Sequence, residues 1–398
     1  MQIRPASRTE NIRYAIRDVV VEADRMKKQG AKILHLNIGN PNAFDFSPPR
    51  HMVEAVFGAI NDNKNGYADS LGIAEARGAI ARESERKDIE GVTADDIVVG
   101  TGVSEVIDLC MSALVNPGEN FLIPSPGYPL YSAISWKLGA VLNQYRLDEE
   151  NNWEPDPEDI RNRVNEKTKA IIIINPNNPT GSLCSREILD EIVEIANEHE
   201  LVIFSDEIYD KILFDGEKHV STASLAGDVP VVTMNGLAKN YLVPGWRIGW
   251  GIFSGDREKL EEYKEAVFKL ARARLSTTHP FQFAVRPALE GPQEHIKEMV
   301  RKLTERRNLT FKRLNEVEGM SVVKPRGAFY AFPKMELEVE DDMKLIMDIL
   351  HKKRVLLVPG TGFGWETPDH FRIVFLPTPD ILSEAYDRLE EYVKENLT

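Results

Sequence analysis

Two cysteines, Cys110 and Cys184, are all the thiol chemistry in this chain. They lie far apart and outside any CxxC spacing, which excludes a disulfide framework and a thiolate metal site and points to reduced, structural thiols. Histidine is also sparse: eight residues, with no HxH or HExxH pair. Nowhere along the chain do Cys, His and carboxylates cluster at metal-ligand spacing, so no metal is expected. Positive charge is in deficit, with 49 Lys and Arg against 63 Asp and Glu, and the net charge of −14 repels nucleic acid and anionic membranes. Long apolar runs are missing too. Residues 171–174, four isoleucines, fall far short of the roughly 18 a membrane span needs. The opening MQIRPASRTE has no apolar segment of the signal-peptide kind, and the expectation is a cytoplasmic protein. Internal repeats and low-complexity tracts are absent, as are a GxxxxGK[ST] loop and the third glycine of a GxGxxG fingerprint.

What the chain does have is size. With 398 residues, 42% of them apolar, it can bury roughly three quarters of its unfolded surface, more than one core usually takes. The texture divides accordingly. Residues 49–290 alternate buried strands with helices and read as a large α/β domain. Residues 291–398 carry shorter alternating strands, at 321–323, 328–332, 355–358 and 371–375, with helices at 342–351 and 381–397, and read as a smaller α+β domain. Residues 1–48 complete that smaller domain with a helix at 11–29 and a strand at 32–38.

Within the large domain, polar residues stand where strands end. Residues 169–174 are almost wholly apolar, as in a strand buried on both faces of a parallel sheet, and run into Asn175-Pro176-Asn177-Asn178-Pro179-Thr180-Gly181. A helix at 186–199 leads to a buried strand at 201–205 that ends in Asp206-Glu207-Ile208-Tyr209. Strand, helix and strand within about thirty residues imply a right-handed parallel crossover, and such sheets bind ligands beyond their carboxyl ends. A strand at 97–100, the break Thr101-Gly102 and a helix from Val103 form a phosphate cradle, in which the N–H groups of Val103 and Ser104 would meet an anion. A further strand, 121–123, is closed by Pro124-Ser125-Pro126-Gly127-Tyr128-Pro129, placing Tyr128 to stack on a flat ring. Ser125–Pro126 and Asn178–Pro179 are expected to be cis, because each must turn a side chain sharply at a strand end.

The chain is organised around residues 233–251, TMNGLAKNYLVPGWRIGWG. Lys239 follows a short buried strand at once and precedes a second apolar run, a setting that favours the neutral, nucleophilic amine over a solvated ammonium. Arg247 comes eight residues later. A fixed guanidinium beside a buried amine suits an anionic ligand whose carbonyl the amine attacks.

These residues, Gly236-Leu237-Ala238-Lys239 with Gly245-Trp246-Arg247-Ile248-Gly249, match position by position the cofactor-attachment signature of class I aminotransferases. The resemblance covers nearly the whole chain through NIGNP, Tyr67, GTGVSE, PSPGYP, NPNNPTG, DEIY and HFRI around Arg372. It implies a fold-type I pyridoxal-phosphate enzyme, with a three-layer α/β/α core on a mainly parallel sheet. By the same resemblance Lys239 would bind pyridoxal phosphate covalently and shuttle the substrate's proton, and Asp206 would pair with the cofactor's ring nitrogen. Tyr209 and Asn178 would hydrogen-bond its phenolic oxygen, while Arg247, Ser104 and the Tyr67 of a partner subunit hold its phosphate. Arg372 would bind the substrate α-carboxylate, with Gly39 and Asn178 lining the same pocket. Tyr14 and Arg17, which alone read as solvated residues of the first helix, would narrow the pocket around a small side chain.

Within the family the sequence looks closest to the alanine aminotransferase branch. That implies a homodimer exchanging amino groups between L-alanine and 2-oxoglutarate, with an aspartate enzyme as the alternative in which Arg272 or Arg274 would face a second carboxylate. A lyase or decarboxylase on the same fold is a rival reading. So is a non-catalytic ligand sensor, against which the acidic chain and the lack of a basic helix-turn-helix argue. One departure stands out: many members have a serine three residues before the lysine to contact phosphate, where this chain has Gly236.

Overall fold

The computed structural model describes residues 3–10, 12, 15–337 and 339–396, and in its first helix the side chains from Val19 on. The chain enters through α1 (Ala15–Lys28) and the two-residue strand β1 (Leu34–His35), then passes α2 (Arg50–Asn61) and α3 (Ala74–Arg86). An eight-stranded sheet follows. Its strands are β2 (Ile97–Thr101), β3 (Asn120–Ser125), β4 (Val141–Asp148), β5 (Glu154–Pro155), β6 (Thr168–Ile174), β7 (Val202–Asp206), β8 (Val231–Gly236) and β9 (Ile248–Ser254), with α4 (Val103–Leu114) directly after β2. The spatial order is β2-β9-β8-β7-β6-β3-β4-β5. Pairing is parallel from β8 through β4 and antiparallel at β2–β9, β9–β8 and β4–β5. Only β9 and β5 therefore run against the rest, and the carboxyl ends of β2, β3, β6, β7 and β8 gather along one edge.

Strand β6 shows why this sheet is buried on both faces. Ile171 and Ile173 pack with Leu189 and Ile192 on one side. Ala170, Ile172 and Ile174 pack with Phe121 and Phe204 on the other. With successive side chains pointing to opposite faces, a run of four isoleucines satisfies two cores at once.

The second layer system has its own core, in which Val19, Ala23 and Met26 of α1 meet side chains of the helices Glu294–Asn315, Asp342–Lys353 and Pro379–Asn396. Three short strands, Tyr330–Ala331, Phe371–Val374 and Val358–Pro359, pair antiparallel beside it. The regular strand expected over 32–38 shrinks to β1, parallel to Val355–Leu356. Beyond His35 the backbone serves other partners: Leu36 O accepts from Val374 N at 2.8 Å, and Asn37 O accepts from the Arg372 guanidinium.

Among the described residues the cis peptide bonds are Ser125–Pro126 and Asn175–Pro176. The expectation of a cis bond at Asn178–Pro179 is therefore corrected. The sharp turn falls immediately at the end of β6, where Asn175 N still donates to Asp206 O. Three residues on, the loop is closed instead by Thr180 and Ser182 bonding back to Asn177.

Candidate active site

A cavity of about 300 Å³ opens beyond the gathered carboxyl ends of the sheet. Lys239 reaches it from the loop after β8, and its Nζ donates to Gly39 O at 2.9 Å. The rings of Tyr209 and Phe329 lie 5.8 and 5.5 Å from that nitrogen. The loop is held in unusual backbone geometry, with Leu242 at φ 60° and Arg247 at φ 54°, left-handed conformations that cost on the order of 1–3 kcal/mol each. Surrounding structure must over-determine them, and Arg247 Nη1 does so in part by donating to Pro244 O at 3.0 Å.

One end of the cavity has the make-up that suits an anion. Helix α4 begins after Gly102 with no side-chain cap, so its first N–H groups are unsatisfied within the helix and carry its positive dipole end. Val103, Ser104 and Arg247 line the cavity there. Glycines permit the close approach: a Cβ on Gly102 would collide with the Arg247 guanidinium, and one on Gly249 with Val103 N. At Gly236 a Cβ would lie 2.7 Å from Ile248 O and 2.9 Å from Gly249 Cα. This tight cross-strand pair explains why no serine stands there.

Asp206, the last residue of β7, is buried beside the lysine. Burial pushes its carboxyl up to about 6, against the lowering effect of hydrogen bonds from Tyr131 and from Ile208 N. The Tyr131 hydroxyl donates to Oδ2 at 3.0 Å, and Ile208 N to Oδ1 at 3.3 Å. Tyr209 faces the same space. Burial, with the neighbouring Tyr330, holds its hydroxyl protonated far above the ordinary range.

The opposite wall belongs to the smaller layer. Arg372 Nη1 donates to Asn178 Oδ1 at 3.3 Å, and its guanidinium stacks 4.9 Å from the ring centres of Tyr330 and Phe363. The Tyr330 hydroxyl sits 2.9 Å from that of Tyr209, and a Cβ on Gly39 would collide with it.

A model of the family described as aminotransferase class I and II matches residues 31–389. The chain belongs to this family. It is 44% identical over 403 residues, 99% of each chain, to the glutamate-pyruvate aminotransferase AlaA of Haemophilus influenzae. An alanine aminotransferase of Mycobacterium tuberculosis is 41% identical over 396 residues, 98% of this chain and 92% of the relative. Among solved structures, the alanine aminotransferase from Pyrococcus furiosus superposes with a TM-score of 0.96 at 46% identity, covering 98% of this chain and 100% of that one.

Of the site residues expected from the sequence, this aminotransferase brings Gly39, Val103, Ser104, Tyr128, Asn178, Asp206, Tyr209, Lys239, Arg247 and Arg372 around the one cavity. Tyr67 is not among them. It is 82% exposed on its own chain and does not line the cavity. Tyr14 lies outside the described residues, as does the Arg17 side chain.

Neither arginine weighed as a second carboxylate ligand lines the cavity. Arg272 bonds Glu265 at 2.5 Å, and Arg274 donates to Val99 O at 2.8 Å and Ser70 O at 3.2 Å. Where the linear sequence shows no metal-ligand spacing, the fold does bring Glu207, Asp210 and His219 within 4.8 Å. The Lys87 ammonium stands among them, bonded to both carboxylates.

Sequence reasoning passed over Tyr131 and Tyr330. Tyr131 follows Tyr128 by three residues at a helix start, the spacing that puts two side chains on one face. Tyr330 lies in an apolar strand, where a buried phenol needs a partner.

Proposed function

We propose that the protein is a pyridoxal-phosphate-dependent transaminase converting L-alanine and 2-oxoglutarate to pyruvate and L-glutamate. The carrying observation is one cavity lined by a lysine amine, Lys239, a buried carboxylate, Asp206, and two arginines, Arg247 and Arg372. The residues present fit the cofactor. A carboxyl pushed up to about 6 by burial is one that gains from a cationic ring nitrogen, and an anion seat whose glycines exclude side chains suits a phosphate. Bound there, pyridoxal phosphate supplies a sink for the electrons released at the substrate Cα.

The chain's own residues do the rest. Arg372 grips the α-carboxylate through its planar fork and fixes the Cα–H toward Lys239, whose amine takes the proton and returns it, as general base and then general acid. Asp206, held in place by Tyr131, would keep a proton on the cofactor's ring nitrogen. Tyr209 and Asn178 would donate to its phenolic oxygen. Val103, Ser104 and Arg247 would hold its phosphate, and Tyr128 would cover the ring. Borohydride reduction and peptide mapping test the assignment of Lys239: label on any other lysine overturns it.

Alanine is favoured over aspartate by the full-length similarity to relatives named for alanine and pyruvate, and by the engagement of Arg272 and Arg274 elsewhere. Tyr14 and Arg17 would then narrow the pocket around a methyl side chain while still admitting glutamate's distal carboxylate. Comparing kcat/KM for alanine and aspartate with 2-oxoglutarate decides the matter. An aspartate preference above about tenfold, roughly 1.4 kcal/mol, overturns it in favour of an aspartate aminotransferase.

The reading includes a cytoplasmic homodimer whose phosphate site is completed by the partner's Tyr67. Supporting it, Tyr67 and the apolar face of α2 at Val53 and Phe57 are solvent-exposed in the single chain, a pattern that marks an interaction surface. Mixed dimers of Lys239→Ala and Tyr67→Phe subunits should recover part of the activity, and no recovery sinks shared sites.

A further inference from the structure

Behind the catalytic loops lies a buried charge cluster that the proposed chemistry does not use. Three cavity residues each have a chain neighbour that points the other way into it: Asp206 beside Glu207, Tyr209 beside Asp210, and Lys239 beside Asn240. The two carboxylates share one partner, Lys87, at the end of α3, a helix that supplies nothing to the cavity wall. Its ammonium bonds Asp210 and lies 3.3 Å from Glu207.

Asp210 in turn accepts from Asn240 Nδ2 at 2.6 Å, and Glu207 O accepts from Asn235 Nδ2 at 2.9 Å. Glu207 also accepts from Ser221 at 2.7 Å and Ser205 at 3.1 Å. His219 extends the cluster to the loop of Asn178 through Asn175 O, at 3.2 Å. Burial alone would lower the Lys87 ammonium, but Asp210 and Glu207 hold it charged, above the ordinary lysine range. Burial would likewise raise the Asp210 carboxyl, which Lys87, His219 and Lys211 instead hold far below its ordinary value.

We propose that Lys87 is a positioning residue for the reaction: by clamping Asp210 and Glu207, and through Asp210 holding Asn240, it fixes the Lys239 amine relative to Asp206 and Tyr209. This rests on the reading of Lys239 as the cofactor-bearing residue. The physical basis is that reacting groups must be held within a fraction of an ångström, and small displacements cost large factors in rate. A buried ion pair is a poor source of net stability but a stiff, directional tie.

The test compares Lys87→Met and Lys87→Arg with wild type, each loaded with pyridoxal phosphate. It reads the pH midpoint of the bound chromophore, the melting of loaded and cofactor-free protein, and kcat and KM well below the melting range. Lys87→Met should move the chromophore midpoint by about half a pH unit or more and lower kcat by about tenfold or more. KM for the amino acid, set by Arg372, should change far less, and Lys87→Arg should restore part of both losses. If Lys87→Met fails to fold, Asp210→Asn keeps an acceptor for Asn240 while weakening the clamp, and should shift the midpoint in the same direction by less. Variants that melt earlier but keep the wild-type midpoint and kcat overturn the inference and leave Lys87 as framework alone. Wild-type protein that forms no chromophore on Lys239 overturns instead the reading beneath it.

Discussion

The two ends of the cavity are built by different means. At the proposed cofactor end, Ser104, Asp206 and Lys239 each stand at or just beyond the carboxyl end of a strand in one continuous sheet, and the ladders β7–β8, β8–β9 and β9–β2 set the spacing of those strands. At the proposed substrate end, Gly39, Asn178, Tyr330 and Arg372 come from segments far apart in sequence; Tyr330 and Arg372 sit on paired short strands of the smaller layer, which side-chain contacts such as Arg372 to Asn178 tie to the large sheet. The first end is as rigid as the sheet. The second depends on how the smaller layer packs against it, so its residues should show in KM and specificity more than in cofactor retention.

Four experiments sharpen or break that contrast. The largest effect belongs to Lys239→Ala. Losing the proton-transfer role alone should lower kcat by about 10²–10⁴-fold, and rescue by added alkylamine would mark the loss as chemical rather than structural.

Asp206→Asn comes next and has opposite signs with and without cofactor. Loaded enzyme should lose about two to four decades of rate, the roughly 3–5 kcal/mol of a broken buried pair. In cofactor-free protein the carboxyl titrates near 6 rather than the ordinary 3.8, so the folded chain holds its proton more tightly than the unfolded one. Its ionisation therefore destabilises the fold: the cost is absent below about pH 4, grows through pH 6 and is complete above, reaching about 3 kcal/mol. Cofactor-free Asp206→Asn should thus melt above wild type at pH 8 and level with it at pH 4; equal melting at both would refute the burial argument.

Third, Arg372→Lys should cost about 1.5–3 kcal/mol in kcat/KM, roughly ten- to hundredfold. The loss should fall mainly on KM, with the affinity for pyridoxal phosphate unchanged. Loss of cofactor affinity would erase the proposed division between the two ends. Smallest is Tyr330→Phe, which removes one hydrogen bond to Tyr209 and should lower kcat/KM by about threefold to tenfold; a change beyond a hundredfold would show that this phenol takes part in the chemistry.

The same contrast explains what could be read from the chain alone. The cofactor end is local: a strand, a break and a polar residue in sequence, repeated at Ser104, Asp206 and Lys239, and periodicity finds each of them. The isoleucine run of β6 likewise announces a sheet covered on both faces. The substrate end is tertiary. Nothing near Tyr330 in sequence marks its approach to Tyr209, because the contact spans the two layer systems. Lys87 reads as an ordinary helix-end lysine until the fold sets two carboxylates on it. The misplaced cis bond has the same origin: two Asn-Pro pairs in NPNNPTG look alike in sequence, and only the ladder of β6 with β7 determines which one meets the strand end.

The glycine pair across β8 and β9 limits how this chain can change. Gly236 and Gly249 touch each other and the start of α4 so closely that neither tolerates even a methyl group. A mutational path that adds a hydroxyl at 236 cannot proceed one residue at a time, since the first step would drive a Cβ into Ile248 O and Gly249 Cα on the neighbouring strand. The sequence is therefore confined to its present solution, in which, on the proposed reading, main-chain N–H groups and Arg247 would bear the phosphate, unless β9 shifts as well.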